Sequence, residues 1–325
     1  MNLNKGEKMP EFITLGEVPA VLVSKNIGRM RYNKEFEVRP GGAEGTVAVG
    51  VKRLGHSSGW ISQLGEDEFG HYILSLIRGE GVDVSKVHMI PDKQTGIFIR
   101  ERLPHGEARH FYYRTCSAFS VMSPESLDEN YIASSKILHI TGITPALSNS
   151  CRKMIFSAVN IAKKHNVKVI FDLNMRLKLW SPNKARPIME ELMVSSDYIL
   201  PGLEDLRLIY GENKQEKELI KYLHDLGCKI IILKVGEKGA ILSLPSQDEL
   251  IKGYAIENPV DLMGAGDAFA AGFISGVLKG MELKEAINLA NLVASLSIQL
   301  PGNIESLPTW DEVMKIKKGE KIIKR

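Results

Sequence analysis

The chain has 325 residues, of which 44% are hydrophobic, and its formal net charge is +3. This composition suits one large α/β domain, and the small charge gives no reason to expect a nucleic-acid or anionic-membrane partner. Cys116, Cys151 and Cys228 match no metal-binding or redox spacing, and no run of about 18 apolar residues occurs. We therefore expect a soluble, cytoplasmic protein with reduced thiols.

A buried strand and a glycine-led helix are the first predicted elements. The apolar run at 12–15 predicts the strand, whereas residues 18–39 lack helical periodicity and favour exposed strands. Gly41 and Gly42 precede residues of helical spacing at 47–54. This glycine pair is either an ordinary turn or a place where the backbone approaches a ligand closely.

Residues 95–114 have the pattern of a β-hairpin. A strand at 60–64 and a helix to about residue 78 come before it, and its turn is expected at 104–107. Together with residues 18–39 this hairpin predicts a small sheet apart from the main body, with one face over a cleft. Such a lid would exclude water from a reacting group.

Three residues near the end of this hairpin combine aromatic and charged chemistry. Strand alternation predicts that Tyr112 and Arg114 share one face and that Tyr113 lies on the other. That face would offer a hydroxyl and a guanidinium together. An exposed sheet surface explains the same composition nearly as well.

From residue 137 onward, short apolar runs alternate with helical segments, which predicts a parallel, doubly wound sheet. Polar clusters follow the predicted strands at 141–144, 172–176, 201–205 and 236–239. Ligands of such sheets bind beyond the carboxyl ends of the strands, so we expect these clusters to converge. Polar loops also connect strands in any protein.

The stretch at 261–278, DLMGAGDAFAAGFISGVL, predicts a small-residue loop that opens a buried helix. Backbone amides at such a start have no intrahelical partner and suit a phosphate. Asp267 in the first turn is either a helix cap or a general base beside an anion hole formed by the amides of residues 264–267.

The remaining chain predicts one more apolar helix and a basic end. Residues 283–300 have helical spacing and include Asn291, and Pro301 follows. We divide the chain into an α/β domain at 11–310 and a basic C-terminal segment at 311–325. Its lysine-rich part is expected to be a solvated tail.

The ordered set of motifs resembles the ribokinase-like (PfkB-type) carbohydrate kinases, which have an N-terminal Gly-Gly motif and a C-terminal D-T-x-G-A-G-D signature. The resemblance covers about residues 11–310. The stretches GGAEGTVAVGVKRLG, FYYRTCSA, HITGITPALS, FDLNMRLKLW and ILPGLEDL are most similar to 2-keto-3-deoxygluconate kinases. Fructokinases share the FD-x-N-x-R pattern. The fold implied is a doubly wound, mainly parallel sheet flanked by helices, with a small β-sheet lid from about 18–39 and 95–114.

The resemblance implies transfer of the γ-phosphate of ATP to a sugar hydroxyl. It makes Asp267 the catalytic base, and Gly264, Ala265 and Gly266 complete the anion hole. The positions implied for substrate are Gly42, Thr46, Phe98, Tyr112, Arg114 and Arg176, and those for nucleotide are Lys234, Gly236, Gly239 and Asn291. Arg114 suits a sugar carboxylate because its planar fork matches two oxygens and stays charged.

Three departures from the family pattern affect this assignment. Thr46 stands where the family has an Asn that contacts sugar, and Leu262 replaces the signature Thr. The second change leaves open whether a monovalent cation binds beside Asp261. Gly202 and Asp205 replace the Asn and Glu of N-x-x-E, which helps to hold magnesium through water. We expect Asp205 to take that role.

The expected reaction transfers phosphate from ATP, with Mg²⁺, to the primary hydroxyl of 2-keto-3-deoxygluconate. Fructose, another ketose or a deoxy-inositol catabolite is the alternative acceptor. A sugar- or nucleotide-binding protein that keeps the fold without the chemistry is an alternative of another class, motivated by the three departures. The resemblance also implies a homo-oligomer.

Overall fold

Short buried strands form one large sheet through the middle of the molecule. The computed structural model of the chain describes residues 9–104 and 108–320. The order across this sheet is β13 (Gln247–Lys252), β12 (Gly239–Leu244), β11 (Ile231–Lys234), β10 (Tyr198–Ile199), β9 (Lys168–Asp172), β8 (Ile137–Thr141), β1 (Phe12–Leu15), β4 (Ser58–Gly65) and β5 (Asp83–Ile90). Neighbours are parallel except where β12 pairs with β11 and β13. The predicted mainly parallel sheet is confirmed.

Helices cover both faces of this sheet, as the continuous apolar strands require. On one face lie α1 (Ala43–Arg53), α2 (Glu68–Gly79), α9 (Ala265–Leu278), α10 (Leu283–Ser297) and α11 (Trp310–Lys317). On the other lie α3 (Glu129–Ala133), α4 (Thr144–Leu147), α5 (Asn149–Lys164), α6 (Pro182–Ser195), α7 (Leu203–Tyr210) and α8 (Glu216–Leu226). Strand β9 shows the alternation, since Val169 and Phe171 join one core and Ile170 the other.

The small residues of α9 allow it to pack closely against α10 in the core that these helices share with α1. A Cβ on Gly272 would lie 2.7 Å from the Cα of Ala290 in α10, and one on Gly276 would lie 2.6 Å from the Cβ of Ala286. Larger residues would therefore separate α9 from α10. The close packing fixes the start of α9 relative to the strand ends.

A second sheet of four strands stands apart from the large one, as predicted. Its order is β3 (Phe36–Pro40), β2 (Ala20–Ser24), β6 (Ile97–Arg102) and β7 (Ala108–Tyr113). The expectation of exposed strands holds for β3 but not for β2. Val21 and Val23 of β2 are buried with Phe98, because β2 is an inner strand of this sheet.

The C-terminal segment at 311–325 begins with a helix. The solvated tail was predicted for its lysine-rich part, 315–325, and of this part residues 317–319 are exposed. Residues 310–317 form α11, which Thr309 and Glu312 begin with reciprocal capping bonds. Val313 is fully buried, so this helix belongs to the domain. Residues 321–325, like the predicted turn residues 105–107, lie outside the described part. Across the described ranges, no helix combines the length and apolar character needed to cross a membrane.

Candidate active site

A cleft of about 490 Å³ opens at the carboxyl edge of the large sheet, where β9, β10 and β11 end and α9 begins. The described residues that line it are Asp172, Asn174, Arg176, Gly202, Leu203, Glu204, Asp205, Lys234, Val235, Gly236, Leu262, Met263, Gly264, Gly266 and Asp267. Three of the four predicted polar clusters therefore contribute to one cavity. This is the position expected for a ligand of a parallel sheet.

The start of α9 has the backbone that an anion site requires. Gly264 is the N-cap, with a φ of 81° in the left-handed region. Ala265 and Gly266 follow with minimal side chains, and both Gly264 and Gly266 line the cleft. The first amides of a helix lack intrahelical acceptors and lie at the positive end of its dipole. This turn therefore suits a transferring phosphoryl group.

Asp267 lines the same cleft from the first turn of α9, although it is only 8% exposed. Within the described residues its one hydrogen bond comes from Asn174, whose Nδ2 lies 3.4 Å from Asp267 Oδ1. The carboxylate is therefore not engaged as a cap of its own helix. Of the two alternatives for this residue, the geometry favours the general base.

The surroundings of Asp267 raise its pKa to about 7. Burial is the largest cause, and the nearby carboxylates of Asp172 and Glu44 act in the same direction, whereas Arg176 and Lys234 oppose them. A carboxylate with such a pKa is a far stronger base than an exposed aspartate. It can accept a proton from an alcohol near neutral pH more readily.

Lys234 and Asp172 form an ion pair on the floor of the cleft. Lys234 Nζ lies 2.9 Å from Asp172 Oδ1 and 2.8 Å from Oδ2, which joins the ends of β11 and β9. A Cβ on Gly266 would lie 3.6 Å from the same Nζ. The predicted nucleotide residue Lys234 therefore carries its charge against the first turn of α9.

Asn174 lines the cleft and contacts Asp267, and the sequence analysis did not single it out. It is buried, has a φ of 39°, and its Oδ1 has no hydrogen-bond partner in the described structure. Asparagine tolerates this left-handed backbone better than most residues. Its place in the FDLNMR motif, two residues before Arg176, was the available signal. Arg176 itself is exposed and lines the cleft, as predicted.

A buried carboxyl group at the start of α1, Glu44, was also missed. Its Oε1 accepts hydrogen bonds from the hydroxyls of Thr141 and Thr144, at 2.7 and 2.9 Å, while Oε2 has no partner within the described residues. Burial raises the pKa of Glu44, and the two hydroxyl bonds lower it less. A charged residue among small and apolar neighbours was the sequence signal.

Asp205 follows β10 and lines the cleft close to Gly202. A Cβ on Gly202 would lie 3.1 Å from Asp205 Oδ2, so glycine leaves this carboxylate open on that side. Burial raises the pKa of Asp205 to about 6, and the charge of Lys234 partly opposes the shift. Among the described residues, no group of three or more His, Cys, Asp or Glu side chains could hold a metal. Mg²⁺ needs no such cage, since it keeps waters and shares ligands with phosphates.

The Gly-Gly motif serves close packing at the start of α1. Gly42 has a φ of 89°, and a Cβ on it would lie 2.4 Å from the carbonyl oxygen of Glu17. Thr46 is fully buried, and its hydroxyl donates to the Gly42 carbonyl at 2.9 Å. Thr46 therefore has an intrahelical bond, because its hydroxyl reaches the carbonyl four residues earlier, and its sugar contact stays a prediction.

Tyr112 and Arg114 share one face of the small sheet, as strand alternation predicts. Arg114 Cζ lies 5.7 Å from the ring centroid of Tyr112, which packs edge-on against Phe98, whereas Tyr113 is 61% exposed. Arg114 is buried, and its Nε donates to Glu17 at 2.6 Å. Of the described residues predicted to bind substrate, only Arg176 lines the cleft.

The predicted nucleotide positions divide into two pairs. Lys234 and Gly236 line the cleft. Gly239 and Asn291 support β13 instead. A Cβ on Gly239 would lie 2.2 Å from the Ile251 carbonyl oxygen, and the Asn291 amide donates to the carbonyls of residues 251 and 252, both at 3.1 Å. Asn291 therefore has a structural role, and its nucleotide contact stays a prediction.

Three of the relatives found by comparison with known proteins are sugar-acid kinases by name. A 2-dehydro-3-deoxygluconokinase from Bacillus subtilis is 32% identical over 304 residues, 93% of each chain. One of the same name from Thermoproteus tenax is 33% identical over 320 residues, 96% of each chain. A 5-dehydro-2-deoxygluconokinase from Clostridium tetani is 30% identical over 327 residues, 97% of this chain and 95% of the relative.

Solved structures have the same fold. A PfkB protein from Polaromonas has a TM-score of 0.85 at 31% identity, and the match covers 94% of this chain and 99% of the other. A ribokinase II candidate from E. coli in complex with ATP and Mg²⁺ has a TM-score of 0.88 at 23% identity, with 96% and 100% covered. A Vibrio cholerae fructokinase double mutant, bound to fructose, ADP and potassium, has a TM-score of 0.83 at 22% identity, with 95% and 98% covered.

The family model described as pfkB family carbohydrate kinase matches residues 9–310, nearly all of the chain. The match contains both glycine motifs, the small sheet and the cleft at the start of α9. The chain therefore belongs to the pfkB family of carbohydrate kinases and is an ATP-dependent sugar kinase.

Proposed function

We propose that this kinase phosphorylates the primary hydroxyl of a keto sugar acid, 2-keto-3-deoxygluconate. The observation that carries the proposed chemistry is the Asp267 carboxylate, which is only 8% exposed and lines a cleft that also contains the start of α9, Lys234 and Arg176. The choice of acceptor is supported by two relatives named for this acid, at 32% and 33% identity over almost the whole chain.

In the proposed reaction Asp267 accepts the proton of the sugar hydroxyl while that oxygen attacks the γ-phosphorus of ATP. The bond from phosphorus to the bridging oxygen breaks, and ADP leaves with the electron pair. The amides at the start of α9 and the Lys234 ammonium stabilise the negative charge on the transferring group. Most of the acceleration comes from positioning and charge, because the protein forms no covalent bond.

The donor set of the cleft fits Mg²⁺ bound with a nucleotide. Asp205 would hold it through water, and a carboxyl group with a raised pKa gains most from a nearby cation. Magnesium, when bound, neutralises phosphate charge.

The surroundings of Asp261 do not fit a monovalent cation. Both carboxylate oxygens of Asp261 accept hydrogen bonds from Arg100, at 2.8 and 3.0 Å, and Met263 N donates to one of them at 3.0 Å. The Arg100 guanidinium therefore already supplies the positive charge at this carboxylate. We assign no step to potassium.

Recognition of the acid is assigned to Arg114, held in place by Glu17. The bond to Glu17 is made by Nε, so a second carboxylate would be bound by the two terminal nitrogens, the geometry of a bidentate pair. Ser117 donates to the other oxygen of Glu17 at 2.6 Å and fixes that carboxylate. The guanidinium is thereby oriented before substrate arrives.

A coupled assay of sugar-dependent ADP release tests this function. We expect the highest kcat/KM with 2-keto-3-deoxygluconate, and lower values with 5-keto-2-deoxygluconate and fructose. The first competitor is favoured by the relative from Clostridium tetani, and fructose by the shared fold of the fructokinase. A higher kcat/KM with either competitor contradicts the proposed acceptor.

The alternative of a binding protein without kinase chemistry is set aside by membership in a kinase family. A homo-oligomer stays a prediction.

A further inference from the structure

An ion pair between Arg100 and Asp261 connects the small sheet with the turn before α9. Arg100 Nη1 lies 2.8 Å from Asp261 Oδ2, and Nη2 lies 3.0 Å from Oδ1. The two side chains are 14% and 11% exposed, so the pair is largely shielded from water. Such bidentate bonds between charged groups are stronger and more directional than those of exposed pairs.

The same carboxylate organises the turn that begins the anion site. Asp261 Oδ1 accepts from Met263 N at 3.0 Å, and Oδ2 accepts from Gly302 N at 3.5 Å. Gly264, the N-cap of α9, comes directly after this turn. Asp261 therefore links Arg100 of the small sheet to the backbone that places the first amides of α9.

The electrostatics of the pair support this connection. Burial acts to raise the pKa of Asp261, but the bonds from Arg100 and Met263 outweigh it and the pKa is lowered. His110 pairs with Arg100 across the small sheet, and burial followed by the charge of Arg100 lowers its pKa to about 4. His110 therefore stays neutral near pH 7 and does not compete for Asp261.

We propose that Arg100 is a positioning residue that couples the small sheet to the anion-binding turn, and that its guanidinium supplies the positive charge beside Asp261 without a monovalent cation. This inference rests on the proposed function, since the turn is assigned to the transferring phosphoryl group. Arg100 itself acts through Asp261 and touches no reacting atom. Without the guanidinium, Asp261 is left as a buried charge and the turn loses its link to the sheet that carries Phe98 and Tyr112.

The test compares Arg100→Gln with Arg109→Gln, a matched change on the same small sheet. Arg109 is exposed, and its ion pair with Glu101, at 3.7 Å, stays within that sheet. We expect Arg100→Gln to lower kcat at least about ten-fold with a smaller change in KM for the sugar, because misplaced amides act on the transition state. Arg109→Gln should stay within about two-fold of wild type.

Two further measurements separate positioning from general damage. Guanidinium at tens of millimolar, below denaturing concentrations, should restore part of the kcat of an Arg100→Ala variant, and Arg100→Lys should retain more activity than Arg100→Gln. Wild-type kcat should change less than about two-fold when potassium is replaced by tetramethylammonium. Thermal unfolding shows whether Arg100→Gln or Arg100→Ala fails to fold. In that case the kcat of Arg100→Lys is compared with that of wild type instead.

Two results would overturn the inference: a kcat for Arg100→Gln within two-fold of wild type, or a loss of wild-type activity above ten-fold without potassium. Failure of the proposed function looks different. If wild type prefers another acceptor, the acid assignment is lost, and the same Arg100 comparison is made with the preferred sugar. If wild type releases no ADP with any acceptor, both are wrong.

Discussion

The two sides of the site differ in how their polar groups are satisfied. On the side of α9, Asp267, Arg176 and the first amides border an open cleft. On the side of α1 and the small sheet, Arg114 is paired with Glu17, and the Thr46 hydroxyl is bonded within its own helix. The side of α9, which we propose binds phosphate and call the phosphate side, therefore has polar groups open to a ligand. The side of α1 and the small sheet, the proposed sugar side, has bonded most of its polar groups within the protein.

This difference has a physical basis. Backbone amides at a helix start and an exposed guanidinium can be left to water at little cost, so an anion site persists without its ligand. A buried arginine cannot be left unpaired, and Glu17 supplies the countercharge. In the proposed reaction the acceptor must therefore bind groups on the sugar side that are already hydrogen-bonded within the protein. Under the proposed function, selectivity there depends on how Arg114 is held.

Removing the Asp267 carboxylate should have the largest effect. Asp267→Asn should lower kcat by about 10²–10⁴-fold, the range for loss of a general base. The folded pKa of about 7 lies above the ordinary value of 3.8, so the wild type loses stability as pH rises between these values. Asn carries no charge, so the variant should be more stable than wild type at pH 8, by on the order of a few kcal/mol.

Urea unfolding at pH 5 and pH 8 measures this second effect, and the ADP-release assay measures the first. The stability gain should be larger at pH 8 than at pH 5. Asp205→Asn is the matched comparison, since Asp205 is the cleft residue proposed to hold Mg²⁺ through water. A variant with near-normal turnover and unchanged stability would show that Asp267 is neither the base nor a destabilised buried charge.

Replacing Arg114 and Arg176 one at a time should distinguish the roles of the sugar side and the phosphate side. Arg114→Met should lower kcat/KM for the keto acid by about 10- to 100-fold and for fructose by much less, since only the acid offers a carboxylate. Arg176→Met should lower both alike, because Arg176 lines the same cleft as Asp267 and its charge acts on that carboxylate. Equal losses for both acceptors in Arg114→Met would mean that this arginine only supports the small sheet.

The pH dependence should follow the phosphate side. Ionisation of Asp267 with a pKa of about 7 predicts a rise in rate of about ten-fold from pH 6 to pH 8. Initial rates with both substrates far below their KM values report the free enzyme. A rate that is flat over this interval would place the working pKa of the base well below 7.

The sequence predicted the phosphate side better than the sugar side for a structural reason. Short-range patterns encode a strand end, a glycine turn and a helix start, and these place Asp267, Lys234 and Arg176 at one cleft, although Arg176 was predicted to contact the sugar. The partners of the sugar side are distant along the chain, as with Glu17 and Arg114, and no periodicity reveals such pairs. For the same reason β5, which pairs with β4 across the intervening helix α2, was not predicted. The antiparallel strands β12 and β13 were also not predicted, although their pairing across a short turn at 245–246 is local.

The smallest expected effect concerns Glu44, which connects the two sides. Its charge raises the pKa of Asp267 but is the last of five causes, so Glu44→Gln should move the pH profile downward by less than about one pH unit. Gln keeps an oxygen for the hydroxyls of Thr141 and Thr144, so the fold should be retained. Glu204 lines the same cleft with a side chain that is 83% exposed, and Glu204→Gln should leave the profile unchanged because water screens its charge. If both variants moved the profile equally, the buried position of Glu44 would have no special influence on the base.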